Sequence, residues 1–489
     1  MPQKIYRNST EVAQLHGVPI LIDDVVKSCL YGRLNLFLQG NTGDGKTQLA
    51  KDAMSYFGDR SLFVLGRNDM ETRELFQQIN LGKLYGKPVH NLEPLVNPAT
   101  GAVEYFYPQF DEQKGIFVQK RLSGQETETV RKTLEQLAGN TGTIRELTSK
   151  INTNIIVVDE MPNCVPAVRA QLFNLFDGFI EINGKAYAIG TGMIAYGKDG
   201  KSARMIHDGT PMSEIESMKR EGFDVRSDAY SVGIATGNIG QKFTESSNDL
   251  GRALKDRMHV IIDTDHFYPQ ASDTLNILAG DTNPRVAFSD ERKDESAELR
   301  AKYREVCGAE VPLEKLMVAN YLLHGLDHCS KGSKRRMKDK WPNELEQNEI
   351  GSDVSLVLPS STRAAKSVIR LSQALDEIAR SKGVKEETIS TGHLDSMLTA
   401  YKLVAAYSGV LNEAAVDQIY GGNKYAAMDA VTATTRTQFE EKKKSIAAGV
   451  ALAGDGKTSQ KVMNDFTGRW EFMRGTLEEL ANQNKPEAK

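Results

Sequence analysis

"FLQGNTGDGKTQLAK", residues 37–51, contains the pattern GxxxxGK[ST]: Gly40, then Asn41, Thr42, Gly43 and Asp44, then Gly45, Lys46 and Thr47. The flanking residues give the pattern its meaning. Before it, "RLNLFLQG" is an apolar run of strand length. After it, in "TQLAKDAMSYFG", Leu49, Ala53 and Phe57 recur at helical spacing. Strand, glycine loop and helix is the arrangement that wraps a phosphate. The glycines let backbone amides curl around the anion, and the helix N-terminus adds partial positive charge. Gly40 to Gln48 then form a nucleotide-binding loop, in which Lys46 reaches the β- and γ-phosphates and the Thr47 hydroxyl ligates Mg2+.

The pentapeptide GDGKT occurs a second time, at 454–458. There Ala451 stands where the full pattern needs glycine. The preceding "FEEKKKSIAAGVALA" is charged and then alanine-rich, which favours helix over strand. The second copy is expected to be a glycine turn joining two C-terminal helices.

A phosphate loop that hydrolyses nucleotide needs an acidic strand beside it. "NTNIIVVDEMPN", residues 152–163, supplies a candidate: Ile155 to Val158 form a buried strand, with Asp159 and Glu160 at its C-terminal end. Asp159 can hold Mg2+ through water, and Glu160 can act as general base on the attacking water. A further apolar strand, "AYSVGIATGN" at 229–238, ends in Asn238. That residue either orients the water or touches the γ-phosphate, or else caps the following turn.

The 489 residues are 40% hydrophobic and 26% charged, with a formal net charge of −4. This is ordinary for a globular protein of two to four domains and excludes a chain that is basic throughout. Cys29, Cys164, Cys307 and Cys329 form no CxxC pair, so a reduced, cytoplasmic setting is expected. The N-terminus has no apolar signal region, and no run approaches the ~18 apolar residues of a membrane helix.

Together these pieces resemble an AAA+ ATPase, and more narrowly the MoxR family of the helix-2-insert clade. Four stretches carry the match: "GNTGDGKTQLAK"; "NPATGAVEYFYP" at 97–108; "VVDEMPNCVPAVRAQLFNLFDGFIEINGKAYAI" at 157–189; and "IATGN" followed by "LGRALKDRMHVIIDTD" at 250–265. In the third, Val165, Val168, Leu172 and Leu175 share one helix face, and a hairpin turns on Asn183-Gly184. The resemblance implies that this hairpin faces the channel of a ring, that Asn238 is the first sensor, and that Arg257 is the arginine finger. Met258 replaces the family's phenylalanine and Arg252 lies five residues upstream, so either arginine is a candidate, with Arg257 favoured. "LPSSTRAAKSVIRLSQAL" at 358–375 resembles the second sensor, with Thr362 in place of the usual proline and Arg363 in register.

The implied fold is an α/β P-loop AAA+ core, a parallel sheet sandwiched by helices, followed by an all-α lid and extra C-terminal helices. The expected domains are 1–265 for the core, 266–410 for the lid and 411–489 for the extension. Polar inserts at 118–150 and 190–228 are expected to set partner choice. The implied activity is that of a ring-forming, hexameric, Mg2+-dependent ATP hydrolase that remodels a protein partner. That partner is a separate chain, possible families including von Willebrand factor A domain proteins. The alternative is a nucleic-acid-dependent motor of the MCM/McrB-like branch, for which the basic "KGSKRRMKDK" at 331–340 speaks. His324, His328 and Cys329 lack a fourth ligand and are read as a helix end rather than a metal site. In the C-terminal run, Val462, Phe466, Trp470, Met473, Leu477 and Leu480 are expected to share one helical stripe, docking on the lid, on a neighbouring subunit or on a partner.

Overall fold

Five short apolar runs make the central sheet. They are the phosphate-loop strand Leu36–Gln39, Ser61–Leu65, the acidic strand Ile155–Asp159, the sensor strand Val232–Gly237 and the edge strand Val260–Asp263. All pair in parallel, in the order 260–263, 36–39, 232–237, 155–159, 61–65. Leu36, Phe37, Leu38 and Ile155 to Val158 are fully buried, as strands of a parallel sheet covered on both faces must be. The computed structural model describes residues 9–67, 77–79, 93–96, 103–111, 116–125, 145–147, 153–182, 185–190, 193–196, 203–206, 212–227, 230–238, 257–279, 295–326, 356–358 and 360–484.

The chain divides into two units. The first holds the sheet and everything after residue 231, and beyond the edge strand its described residues are helical. The helix Thr362–Ser381 starts at Ser361, whose side chain accepts from the Ala364 amide. Its stripe of Ala364, Val368, Leu371, Leu375 and Ile378 is buried, as the spacing predicts. Beneath it lies a buried polar cluster. Lys315 Nζ donates to Asp376 Oδ2 at 2.7 Å and to Ser372 Oγ at 3.1 Å. Ser396 Oγ donates to Asp376 Oδ1, and His16 Nε2 lies 3.5 Å from the same oxygen. Three other segments of the chain are thereby tied to one carboxylate.

The C-terminal run differs from expectation. It is not one helix but a short helix Gln460–Met463, a 3-10 turn Gly468–Trp470 and a helix Phe472–Gln483. Gly468 takes φ +60°, a left-handed backbone that ends helical continuity. Phe466, Trp470, Met473 and Leu477 are nevertheless buried, whereas Val462 and Leu480 are only partly so. Trp470 packs on Tyr321 (ring centroids 4.9 Å apart) and on Phe439 (5.0 Å), so the run docks within its own chain on the helices Leu313–His324 and Lys424–Gly454.

The second unit comprises residues 68–154 and 165–231. Its helix Pro166–Phe176 buries Val168, Leu172 and Leu175, and the strands Phe179–Ile182 and Lys185–Ala188 pair antiparallel as the expected hairpin. The segment 190–228 has structure of its own. The strand Met193–Tyr196 pairs with both Ala203–Ile206 and Asp224–Ser227, and Ile215 and Met218 of the helix Met212–Arg220 pack on Ala195. Strands Glu93–Val96 and Val103–Asp111 pair antiparallel on either side of 97–102. Asn183-Gly184, Arg252, His328, Cys329 and the basic segment 331–340 lie outside the described residues.

Candidate functional site

Because the strands are parallel, their C-terminal ends lie along one margin of the sheet, where open α/β sheets bind ligands. Gln39 there leads into Gly40, Asp159 into Glu160, and Gly237 into Asn238. The loop from Gly40 runs to the helix Lys46–Ser55, whose N-cap is Gly45 at φ +77°. Gly40 stands at φ +147°, and a Cβ added to it would lie 2.0 Å from Thr264 Oγ1, so only glycine fits. Gly43 stands at φ +96°, and among the described residues nothing lies within 4 Å of an added Cβ.

Lys46 is buried, and its Nζ donates to the carbonyl oxygens of Gly40, at 3.0 Å, and of Asn41. Burial pushes its ammonium below the usual lysine range, against the pull of Asp44, Asp265, Asp159 and Asp263. Thr42 is exposed, and Gln48 Nε2 donates along the helix to Asp52 at 3.1 Å. Asp44 is buried, with Oδ2 at 3.2 Å from Thr264 Oγ1. Burial and the neighbouring Asp265 carboxyl raise its pKa.

Thr47 Oγ1 donates to Asp159 Oδ1 at 2.7 Å, across the sensor strand that separates the two parent strands. Thr236, within that strand, joins them: its hydroxyl donates to the same oxygen at 2.5 Å and accepts from the Glu160 amide at 3.1 Å. Glu160 stands at φ +54°, an uncommon left-handed backbone for a residue with a side chain. Asn163 Nδ2 donates to its Oε2 at 3.0 Å. Thr236 and Asn163 were not singled out from the sequence. Their only signal is a polar residue inside an apolar strand and another three positions after Glu160. Asn238 follows the sensor strand and is half-buried.

Two further predicted residues sit on other elements. Arg257 precedes the edge strand, and the Asn35 side chain donates to its carbonyl oxygen at 3.2 Å, at the opposite margin of the sheet from the loop. Arg363 lies in the first turn of Thr362–Ser381 with an exposed side chain. The segment before that helix bonds to the one after His393–Ala405, Leu358 donating to Val410 at 2.6 Å. Three residues earlier, the Tyr407 hydroxyl donates to Asp263 at the loop margin.

The residues present fit a magnesium nucleotide. Thr47 and Asp159 offer hard oxygen donors within one hydrogen bond of each other at a helix N-terminus. Among the described residues no three His, Cys, Asp or Glu side chains converge as a metal site. The Thr47–Asp159 pair suits Mg2+, which is commonly held by one or two protein oxygens together with substrate phosphates. Among the described residues no helix is long and apolar enough to cross a membrane.

Residues 35–179 match the model of the AAA domain, dynein-related subfamily. The chain has the α/β P-loop AAA+ fold, with a parallel five-stranded sheet, flanking helices and further helices at the C-terminus. The match supports nucleotide binding. No curated protein matches the chain. Among solved structures, it is similar to a candidate ATPase from Cytophaga hutchinsonii, with 13% identity and a TM-score of 0.46 over 84% of this chain and 88% of that one. It is also similar to a full-length MCM homolog from Methanopyrus kandleri, with 11% identity and a TM-score of 0.33 over 79% of this chain and 55% of that one. Both are distant likenesses.

Proposed function

We propose that this protein is a Mg2+-dependent ATP hydrolase of the MoxR-like kind that works as a ring, each site being completed by a neighbour, and remodels a protein partner. The observation that carries the catalytic part is the 2.7 Å bond between Thr47 and Asp159, with Glu160 next in the chain. When bound, the magnesium nucleotide supplies an electrophilic phosphorus whose charge is already partly neutralised. The amides of Gly40 to Gln48 would hold the phosphates, and Lys46 would supply their cationic partner. Thr47 and Asp159 would hold the metal. Glu160 takes a proton from the attacking water onto its carboxylate, which Asn163 orients, and Asn238 aligns that water. Arg257 of one chain completes the site of the next, and Arg363 reaches back to the nucleotide from the first turn of its helix.

The assembly reading rests on the position of Arg257, remote from its own loop. The protein-partner reading rests on the four sequence stretches that resemble the MoxR family, and a separate chain carrying a von Willebrand factor A domain is one candidate partner. The test is nucleotide binding and phosphate release by Lys46→Ala and Glu160→Gln. Lys46→Ala should lose binding. Glu160→Gln should keep it and lose turnover. Wild-type turnover in either variant defeats the proposal, and turnover that rises on adding DNA would favour the nucleic-acid motor instead.

A further inference from the structure

The turn Asp263-Thr264-Asp265-His266 touches the phosphate loop on one side and the C-terminal helices on the other. On the loop side, the Thr264 amide donates to Gln39 O at 2.8 Å, and its hydroxyl lies 2.9 Å from the same oxygen. Asp265 Oδ1 accepts from both the amide and the side chain of Asn41 at 2.8 Å. Gln39 Nε2 donates to Asp263 Oδ2 at 3.2 Å. On the helical side, the Tyr407 hydroxyl donates to that same Asp263 oxygen. The Tyr425 hydroxyl donates to Ile261 O and accepts from the Asp263 amide, both at 3.2 Å. His266 stacks on the Tyr425 ring with centroids 4.6 Å apart.

We infer that Tyr407 and Asp263 are positioning residues for the phosphate loop, through which the helical C-terminal part of the chain sets the loop's readiness to bind nucleotide. This rests on the reading of Gly40 to Gln48 as the nucleotide site.

Two physical effects carry it. First, Gln39 immediately precedes Gly40, and both its carbonyl and its side-chain amide are held by the turn. Thr264 fills the space where a Gly40 side chain would be, so a displaced turn displaces the loop by direct contact. Second, one Asp263 carboxylate oxygen accepts from both sides, from Gln39 Nε2 at 3.2 Å on the loop side and from the Tyr407 hydroxyl on the helical side. A charged acceptor holds such donors more firmly than a neutral one, so losing either the Tyr407 donor or the Asp263 charge loosens Gln39, the residue before Gly40. Burial holds the Tyr407 hydroxyl far above the usual tyrosine range, so it stays a donor.

The test is titration of the full-length chain with a fluorescent ATP analogue. Tyr407→Phe keeps the ring and loses the donor. It should weaken Kd about tenfold, equivalent to about 1.4 kcal/mol, and speed hydrogen exchange at the Asn41 to Lys46 amides. Asp263→Asn, which loses the charge, should weaken Kd in the same direction and carries the test if Tyr407→Phe does not fold. The double variant should be no worse than the poorer single one, as expected for two residues acting through one bond. A merely structural role would lower the unfolding midpoint and leave Kd unchanged. Wild-type Kd in Tyr407→Phe or its stand-in, with binding abolished in Lys46→Ala, overturns this inference alone. Wild-type Kd in Lys46→Ala overturns the nucleotide reading beneath it.

Discussion

Asn35 holds the backbone of Arg257, its amide donating to the arginine's carbonyl oxygen at 3.2 Å while its own Oδ1 accepts from the Gly233 amide at 2.9 Å. Asn35 precedes the phosphate-loop strand and Gly40 follows it. At ~3.3 Å per residue the two strand ends are on the order of 15 Å apart, too far for Arg257 to touch a phosphate on its own loop. A role in hydrolysis therefore requires a second chain. Arg257→Ala should lose activity by itself, by about 10³-fold or more. Mixed with Glu160→Gln, itself inactive, it should regain part of it, because one interface then pairs an intact Glu160 with an intact Arg257. Phosphate release across mixing ratios checks this; a flat, inactive series would falsify action between chains.

Asn163 donates to Glu160 Oε2 at 3.0 Å, and under the proposed mechanism it orients that carboxylate. Asn163→Ala removes one hydrogen bond worth about 1 kcal/mol, so kcat should fall about two- to tenfold with KM little changed. Steady-state kinetics decide it. A change confined to KM would assign Asn163 to binding instead.

The two GDGKT copies make opposite turns. Gly45 starts a helix; Gly456, at φ +69°, ends one. In the second copy the Gly456 amide donates to Ala453 O at 3.0 Å and the Lys457 amide to Leu452 O at 2.9 Å, the paired bonds of a Schellman cap on Lys424–Gly454. Lys457→Ala should leave nucleotide affinity within twofold of wild type, against complete loss in Lys46→Ala. Equilibrium titration would expose a second site if one existed.

The buried Lys315–Asp376 pair should make the fold less stable in acid. Burial alone would raise the Asp376 carboxyl; the hydrogen bonds from His16, Lys315 and Ser396, with the Lys315 charge, outweigh it and hold the group below the usual carboxylate range. A carboxyl depressed on folding adds stability above its unfolded value of about 4, and that stability is lost as pH falls through the lower folded value. Asp376→Asn should therefore flatten the acid limb of stability against pH. Lys315→Met, which strands the buried carboxylate, should cost about 3 kcal/mol at pH 7. Denaturant unfolding from pH 7 down to pH 3 measures both. Parallel wild-type and Asp376→Asn curves would remove the carboxylate from the explanation.

Much of the core was legible because its signals are local. A glycine loop between an apolar run and a helical stripe needs no distant information, and neither does an apolar run ending in Asp159-Glu160. The helix beginning at Ser361 announced itself through its cap and its stripe. Other features depend on contacts between remote residues. The bonds from Thr236 to Asp159 and from Asn163 to Glu160 arise from strand order and from the left-handed turn at Glu160. The buckle at Asp263 joins residues 39, 263, 407 and 425, which no sequence window spans. The break in the C-terminal run was missed because hydrophobic spacing survived it: Gly468 interrupts the helix without moving Phe466 or Trp470 off the buried side.

The strand order also bears on how the chain acquires its shape. The first strand of the sheet has no neighbour close to it in sequence. Gly233, which meets Asn35, comes 198 residues later, and the Asp263–Gln39 pairing is more distant still. Contacts this remote form slowly, since each must first close a long loop. During synthesis, at about 5–20 residues per second, the apolar Leu36 to Gln39 segment emerges many seconds before either lateral partner exists. The sheet can close only once all of residues 68–231 has been made, so the early strand is the part of the newborn chain most in need of shielding.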